Sequence, residues 1–196
     1  MTRNVPANPF AAIIARGVKS LPARGPIAEL EERIQRGQVG AAVIVADVSG
    51  SMADLVEDGR RKIDVLQEAL DLVREDLPNG VVVAFAGFAR VCPDVLPPPA
   101  GGTAMHLGLK EAQKKTPSQT IVISDGEPDE AGAALREAAM LSGVIHTIYV
   151  GRDDKPKAKE FMAALARRFG GRHYSGDIVR EPTFLQASLR RLLTHG

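Results

Sequence analysis

The sequence predicts an α/β fold, a doubly wound and mainly parallel six-stranded sheet with one antiparallel edge strand and helices on both faces. Two short apolar runs, residues 41–46 and 120–124, are typical of strands that are covered on both sides. Segments with helical periodicity separate such runs, and Gly, Pro and Asn cluster at the connections. Alternating strands and helices of this kind favour a parallel sheet between two helical layers.

Residues 1–39 are predicted to be an N-terminal extension, and residues 40–196 to form the domain. Four prolines and two glycines lie between residues 6 and 26, so we expect only one or two short helices before the first strand. The first 28 residues contain bases but no acid, which is the bias of a transit peptide. Their apolar stretch is short and ends at Arg16, so we expect an extension that packs on the domain rather than a targeting segment.

The first half of the domain is predicted to contain three strands and one long helix. After the strand at residues 41–46, apolar side chains recur every three or four positions through residues 60–77, and a Pro-Asn-Gly sequence follows. Residues 81–88 are a second apolar run. A short third strand at residues 90–96 is placed at an edge by Pro93, and the two-residue connection favours an antiparallel hairpin.

The second half alternates helices and strands down to the end of the chain. Pro128 suits the first turn of a helix, because its missing N–H is not needed there. The predicted elements are a helix from Thr103 to about residue 114, a strand at 120–124, a helix at 128–141, a strand at 144–150, a helix at 157–169, a weak edge strand at 173–175 and a closing helix at 182–193.

Composition narrows the function classes. The 196 residues are 44% hydrophobic with a formal net charge of +1, so no global field favours a nucleic acid or a membrane as partner. There is no apolar run of 18 residues that would predict a transmembrane helix. The single cysteine, Cys92, excludes an intramolecular disulfide and fits a reducing compartment, so we expect a cytoplasmic protein.

Oxygen-bearing side chains follow two of the predicted strands and precede one helix. Asp47, Ser49 and Ser51 come directly after the first strand, Thr103 comes before a helix, and Asp125 ends the strand at residues 120–124. If these two strands are neighbours at the switch point of the sheet, the side chains meet where ligands of open α/β sheets bind. Carboxylates and hydroxyls suit Mg²⁺ or Mn²⁺, and no Cys or His cluster offers a zinc site.

The three pieces resemble the metal-ion-dependent adhesion site of von Willebrand factor A (vWA) domains in order and in approximate spacing, over about residues 41–193. The resemblance implies that Ser49, Ser51 and Thr103 act on the metal through their hydroxyls and that Asp47 and Asp125 act directly or through water. It further implies that a partner protein supplies an Asp or Glu to the metal. By the same resemblance, the protein would be an adaptor in a larger bacterial assembly, either as the partner of an AAA+ ATPase or as a component of a stress-response or tellurium-resistance system. The segment between Thr103 and residue 120 is short for the family.

Each piece also has a purely structural interpretation. An Asp-x-Ser-x-Ser turn can serve only the turn, Thr103 can be a helix N-cap, and Asp-Gly is common in turns. Around the site, Glu127, His106 and Asp153 are candidates for a partner-binding rim. For Glu127 the alternative is an acid in the first turn of a helix, where it complements the helix dipole. For Asp153 the alternative is a residue of a solvated loop.

We do not expect an enzyme. The strongest alternative is a Mg²⁺-dependent phosphoryl transferase of haloacid-dehalogenase type, which needs an acid two residues after the first Asp, where this chain has Ser49. The nucleotide-binding loop, the nucleophile elbow and the dinucleotide fingerprint are also absent from the sequence. A further alternative is a scaffold that binds partners without metal, through its N-terminal extension.

Overall fold

A computed structural model describes residues 41–74, 77, 80–152 and 154–194, all within one compact unit that spans Gly37–Gly196. The predicted extension at residues 1–39 lies outside the described residues, and the division of the chain at that point stays a prediction. Six strands form a single sheet: β1 Ala42–Asp47, β2 Val81–Phe85, β3 Ala89–Val91, β4 Gln119–Ser124, β5 Val144–Tyr149 and β6 Gly170–Ser175.

The strands are ordered β3-β2-β1-β4-β5-β6 across the sheet. All neighbours are parallel except β2 and β3, which form an antiparallel hairpin at one edge. β1 pairs with β4 on one side and with β2 on the other, so the order reverses between β1 and β4. The predicted fold class is confirmed, and the crevice at the carboxyl ends of β1 and β4 is the switch point at which ligands of such sheets bind.

Helices cover both faces: α1 Lys62–Val73, α2 Met105–Gln113, α3 Ala131–Ala138, α4 Pro156–Arg168 and α5 Thr183–Thr194. A short 3₁₀ turn, Gly50–Ala53, follows β1. One buried cluster joins the sheet to α1 and α5, and the other joins the opposite face to α2, α3 and α4. Alternate residues of β1 belong to the two clusters, with Ile44 in one and Val45 in the other, because successive side chains of a strand point to opposite faces.

Several predicted bounds are wrong in detail. The helix predicted at residues 128–141 begins at Ala131, so Pro128 precedes it and is not in its first turn. The backbone N–H of Asp129 donates to the carbonyl of Thr103 at 3.1 Å, which ties residues 127–130 across the crevice as a loop. The predicted 60–77 helix ends at Val73, and the second strand ends at Phe85, where the amide of Ala86 donates to the carbonyl of Phe88 and turns the chain into the hairpin.

Among the described residues, no helix combines the length and the apolar character needed to cross a bilayer.

Candidate functional site

Asp47 is the last residue of β1 and is fully buried. Both of its carboxylate oxygens accept hydrogen bonds: Oδ1 from the backbone N–H of Ser49 at 2.7 Å, and Oδ2 from the hydroxyl of Ser124 at 2.5 Å. Burial raises the pKa of Asp47 to about 6, and the hydrogen bonds from Ser124 and Ser49 offset only part of that effect. Among the described residues, no positive charge offsets the desolvation of this carboxylate in its ionised form.

Ser49 and Ser51 carry hydroxyls from the β1 turn towards the end of β4. Their Oγ atoms lie 3.3 Å apart, and the Ser51 hydroxyl donates to Oδ1 of Asp125 at 2.6 Å. Asp125 directly follows β4 and is fully buried. Because β1 and β4 are adjacent and parallel, the two turns that leave them meet at one edge of the sheet. The expected juxtaposition of these residues is present.

The loop before α2 completes the crevice. The amide of Gly50 donates to the carbonyl of Gly101 at 3.0 Å, and Gly101 has a φ of +75°, a conformation that favours glycine. The Thr103 hydroxyl oxygen lies 3.2 Å from the position that a Cβ on Gly126 would occupy, so it sits over the Asp125–Gly126 turn. Thr103 is not the N-cap of α2, since the cap is Ala104. Its side chain is thus available for another role.

Two further residues of the site were missed from the sequence. The hydroxyl of Ser124 donates a hydrogen bond to Asp47. The ammonium of Lys62 lies 2.7 Å from Oδ2 of Asp125 and 3.1 Å from Oδ2 of Asp54. Lys62 is only 2% exposed. A signal for Lys62 existed, because it lies four residues before Leu66 on the apolar face of the predicted helix, where a lysine is out of place.

The predicted partner-binding rim is less well defined. Glu127 is exposed beside Asp125, but it lies in the loop before α3 and not in the first turn of a helix, so it does not complement a helix dipole. His106 is the second residue of α2, and its Nδ1 is buried without a hydrogen-bond partner in the described part of the chain. Asp153 lies outside the described residues.

The donor set has the chemistry of a site for a hard divalent cation. The two carboxylates and three hydroxyls of Asp47, Ser49, Ser51, Thr103 and Asp125 are oxygen ligands of the kind that Mg²⁺ and Mn²⁺ accept. The buried carboxylate of Asp47, with its raised pKa, is a group that a cation would stabilise. Within residues 41–74, 77, 80–152 and 154–194, no three His, Cys, Asp or Glu side chains form a metal-binding group, so such a site would depend on the hydroxyls.

Comparisons with known proteins place the fold. Neither a protein-family model nor a curated protein matches the sequence. The structure is similar to the vWF domain of the type V pili tip protein Mfa5 from Porphyromonas gingivalis, with a TM-score of 0.62 and 13% identity over 80% of this chain and 95% of that chain. A type II dehydroquinase from Propionibacterium acnes matches with a TM-score of 0.49 and 10% identity, over 80% of this chain and 98% of that chain. The first likeness supports a vWA-like α/β fold, and at this identity it shows the fold alone.

Proposed function

We propose that this vWA-like domain is a metal-dependent protein-binding module that captures an acidic residue of a partner through Mg²⁺ or Mn²⁺. The observation that carries the proposal is the hydrogen bond between Ser51 and Asp125, which joins the β1 turn to the end of β4. Side chains from the turns after β1 and β4 thereby meet at the switch point, and the hydroxyl of Thr103, from the loop before α2, lies over the Asp125–Gly126 turn. A turn-forming role for each piece separately would not require this convergence.

Each residue has a distinct part in the proposed site. Ser49, Ser51 and Thr103 would hold the cation with neutral oxygens, and Asp47 and Asp125 would balance two of its charges. The hydrogen bonds from the Ser49 amide and from Ser124 fix the orientation of the Asp47 carboxylate before any ligand arrives. When bound, the cation would supply an open coordination position for the carboxylate of a partner. Because the two aspartates already balance a divalent cation, the carboxylate of a partner would be held by completing the coordination of the metal, which prefers oxygen ligands.

The partner we propose is a protein with an exposed Asp or Glu. On the resemblance alone, the proposal extends to an adaptor in a bacterial assembly, with an AAA+ ATPase or a stress-response system of the tellurium-resistance type. We also propose that the domain is not catalytic. The haloacid-dehalogenase alternative needs an acid where Ser49 stands, and the hydroxyl of Ser49 lies next to that of Ser51 rather than next to a general base.

The test is a thermal unfolding series with Mg²⁺, Mn²⁺ or EDTA. A cation at a hundredfold excess over its Kd stabilises the folded state by about 2.7 kcal/mol, which corresponds to a Tm increase of about 5–10 °C for a chain of this size. We expect this increase in the wild type, its reversal by EDTA, and its loss in Ser51→Ala. Ser142→Ala is the matched control, because the hydroxyl of that serine donates to the carbonyl of Pro117 at 3.4 Å, away from the crevice.

Capture of partners from a native lysate supplies the second readout. We expect proteins retained by the wild-type domain in Mg²⁺ to be released by EDTA and not to be retained by Ser51→Ala. Capture that persists in EDTA and in the Ser51→Ala variant would contradict the proposal and would favour the metal-independent scaffold. Hydrolysis of phosphate esters by the wild type that Asp47→Asn abolishes would instead favour the enzyme.

A further inference from the structure

Lys62 is a buried cation beside the candidate site. It is the first residue of α1, and only 2% of its surface is exposed. A buried charge is costly unless it is paired, and Lys62 is paired with Asp125 at 2.7 Å and with the exposed Asp54 at 3.1 Å. A positive charge is also unfavourable at the N-terminus of a helix. The position of Lys62 is therefore explained by the carboxylates it contacts and not by the stability of α1.

Asp125 is divided between two kinds of partner. Its Oδ1 accepts a hydrogen bond from the hydroxyl of Ser51, on the side of the proposed cation ligands. Its Oδ2 accepts a hydrogen bond from the ammonium of Lys62. Among the described residues, the fully buried carboxylates are those of Asp47 and Asp125, so with Lys62 the buried charge of the crevice is −1 when all three groups are ionised. A divalent cation would change that charge to +1. Without the ammonium, the same cation would leave the crevice neutral.

We propose that Lys62 is a positioning and charge-setting residue that lowers the affinity of the site for divalent metal and keeps the metal-loaded site positive towards an acidic ligand. The proposal rests on the proposed metal site. The ammonium already neutralises one carboxylate, so a divalent cation gains less at Asp125 than it would gain at a free aspartate. Two like charges a few ångströms apart in a protein interior repel by more than the ~1.4 kcal/mol that corresponds to a tenfold change in affinity.

Metal and acidic ligand are then coupled. The site holds a cation weakly by itself and remains positive once the cation is bound. A carboxylate that completes the coordination and neutralises the excess charge therefore increases the affinity for the cation most. In the absence of metal, the ammonium keeps Asp125 paired, so the fold does not depend on the cation. This arrangement favours a site that is filled together with its partner rather than one that stores metal.

The experiment measures Mn²⁺ affinity by calorimetric titration, and Tm in EDTA and in Mn²⁺, for the whole chain. Lys62→Met removes the charge and keeps most of the side-chain volume, and Lys62→Gln is a second neutral variant that can still donate to Asp125. Lys62→Arg preserves the charge. The matched control is Lys155→Met, because the ammonium of Lys155 contacts the backbone carbonyl of Asp125 at 3.4 Å from an exposed position, where solvent screens its charge.

We expect Lys62→Met and Lys62→Gln to have a lower Tm in EDTA, to bind Mn²⁺ about tenfold more tightly or better, and to gain a larger Tm increase from Mn²⁺ than the wild type. We expect Lys62→Arg and Lys155→Met to stay close to the wild-type affinity. A lysine with only a structural role would lower Tm by the same amount in EDTA and in Mn²⁺ and would leave the affinity unchanged, and that result would overturn the inference.

The outcomes separate this inference from the proposed function. If the wild type binds Mn²⁺ and the two neutral variants bind it no more tightly, the charge-setting role is wrong and the metal site stands. If only the neutral variants bind Mn²⁺, Lys62 sets the affinity as proposed, and the metal-dependent function of the wild type is wrong. If Lys155→Met tightens binding as much as Lys62→Met does, or if no variant binds Mn²⁺, the specific role of Lys62 is refuted.

Discussion

Asp47 makes the metal-free fold sensitive to pH in a direction that can be worked out. Burial raises its pKa from 3.8 to about 6, so the folded state holds a proton more tightly than the unfolded chain does. The corresponding stability is fully present below pH 3.8 and is lost as the pH rises through about 6. This increase in the pKa of Asp47 corresponds to about 3 kcal/mol of free energy of unfolding. We predict that Asp47→Asn is more stable than the wild type in EDTA at pH 8.

The side-chain amide in the Asp47→Asn variant can form hydrogen bonds to the same two partners. Its oxygen can accept the N–H of Ser49 as the carboxylate does, and its NH₂ group can donate to the hydroxyl of Ser124. Ser124 can in turn donate to the carbonyl of Gly126, which lies 3.3 Å from its Oγ. The variant therefore removes the charge of Asp47 and leaves its partners bonded, whereas Asp47→Ala would leave the Ser49 amide and the Ser124 hydroxyl without this acceptor.

The assay is urea unfolding at unit intervals from pH 4 to pH 8 in EDTA, for the wild type, Asp47→Asn and Asp47→Ala. The difference in free energy of unfolding between the wild type and Asp47→Asn isolates the titration of Asp47 and its coupling to Asp125, because groups that do not interact with Asp47 contribute equally to both proteins. We expect it to shift in favour of the variant by about 2–3 kcal/mol over this range. Saturating Mg²⁺ should restore the wild type and leave Asp47→Asn unchanged. A difference that stays constant with pH would refute the argument that burial of the Asp47 charge destabilises the metal-free protein.

Two further predictions concern packing and acid stability. A Cβ on Gly108 of α2 would lie 2.8 Å from Cγ1 of Val45, so Gly108→Ala should lower the free energy of unfolding by about 1–3 kcal/mol in urea titrations. Gly132→Ala is the control, because a Cβ there meets no such clash in α3, and it should be neutral or slightly stabilising. Burial, with a smaller contribution from Arg172, lowers the pKa of His146 below the value of 6.5 that it has in the unfolded chain. The neutral imidazole therefore favours the folded state above pH 6.5, and this stability is lost as the pH falls below that value. His146→Asn, which can still accept the Arg172 amide, should therefore gain stability relative to the wild type between pH 7 and pH 5, and parallel pH profiles would contradict this.

Local pattern was enough to predict most of the architecture. The residue pattern of β1 and β4 indicated strands covered on both faces, and both lie in the middle of the sheet. Pro93 correctly placed the third strand at an edge. The errors fell at element ends, as for Pro128, because a residue that suits a helix start can equally lie in a loop when a distant backbone contact holds that loop.

The candidate site also combines features that the sequence predicts with contacts that only the folded structure shows. The sequence by itself determined which oxygen-bearing side chains follow β1 and β4, since residue type and strand periodicity are local properties. Only the tertiary structure decided that Ser51 reaches Asp125, that Ser124 bonds Asp47, and that Lys62 is paired with Asp125. These contacts join residues 63 to 77 positions apart, and their existence depends on β1 and β4 being neighbours and on α1 beginning beside Asp125. Residues so far apart in the chain are not related by the periodicity of any helix or strand. The pairing of their charges could therefore be seen only in the packed fold.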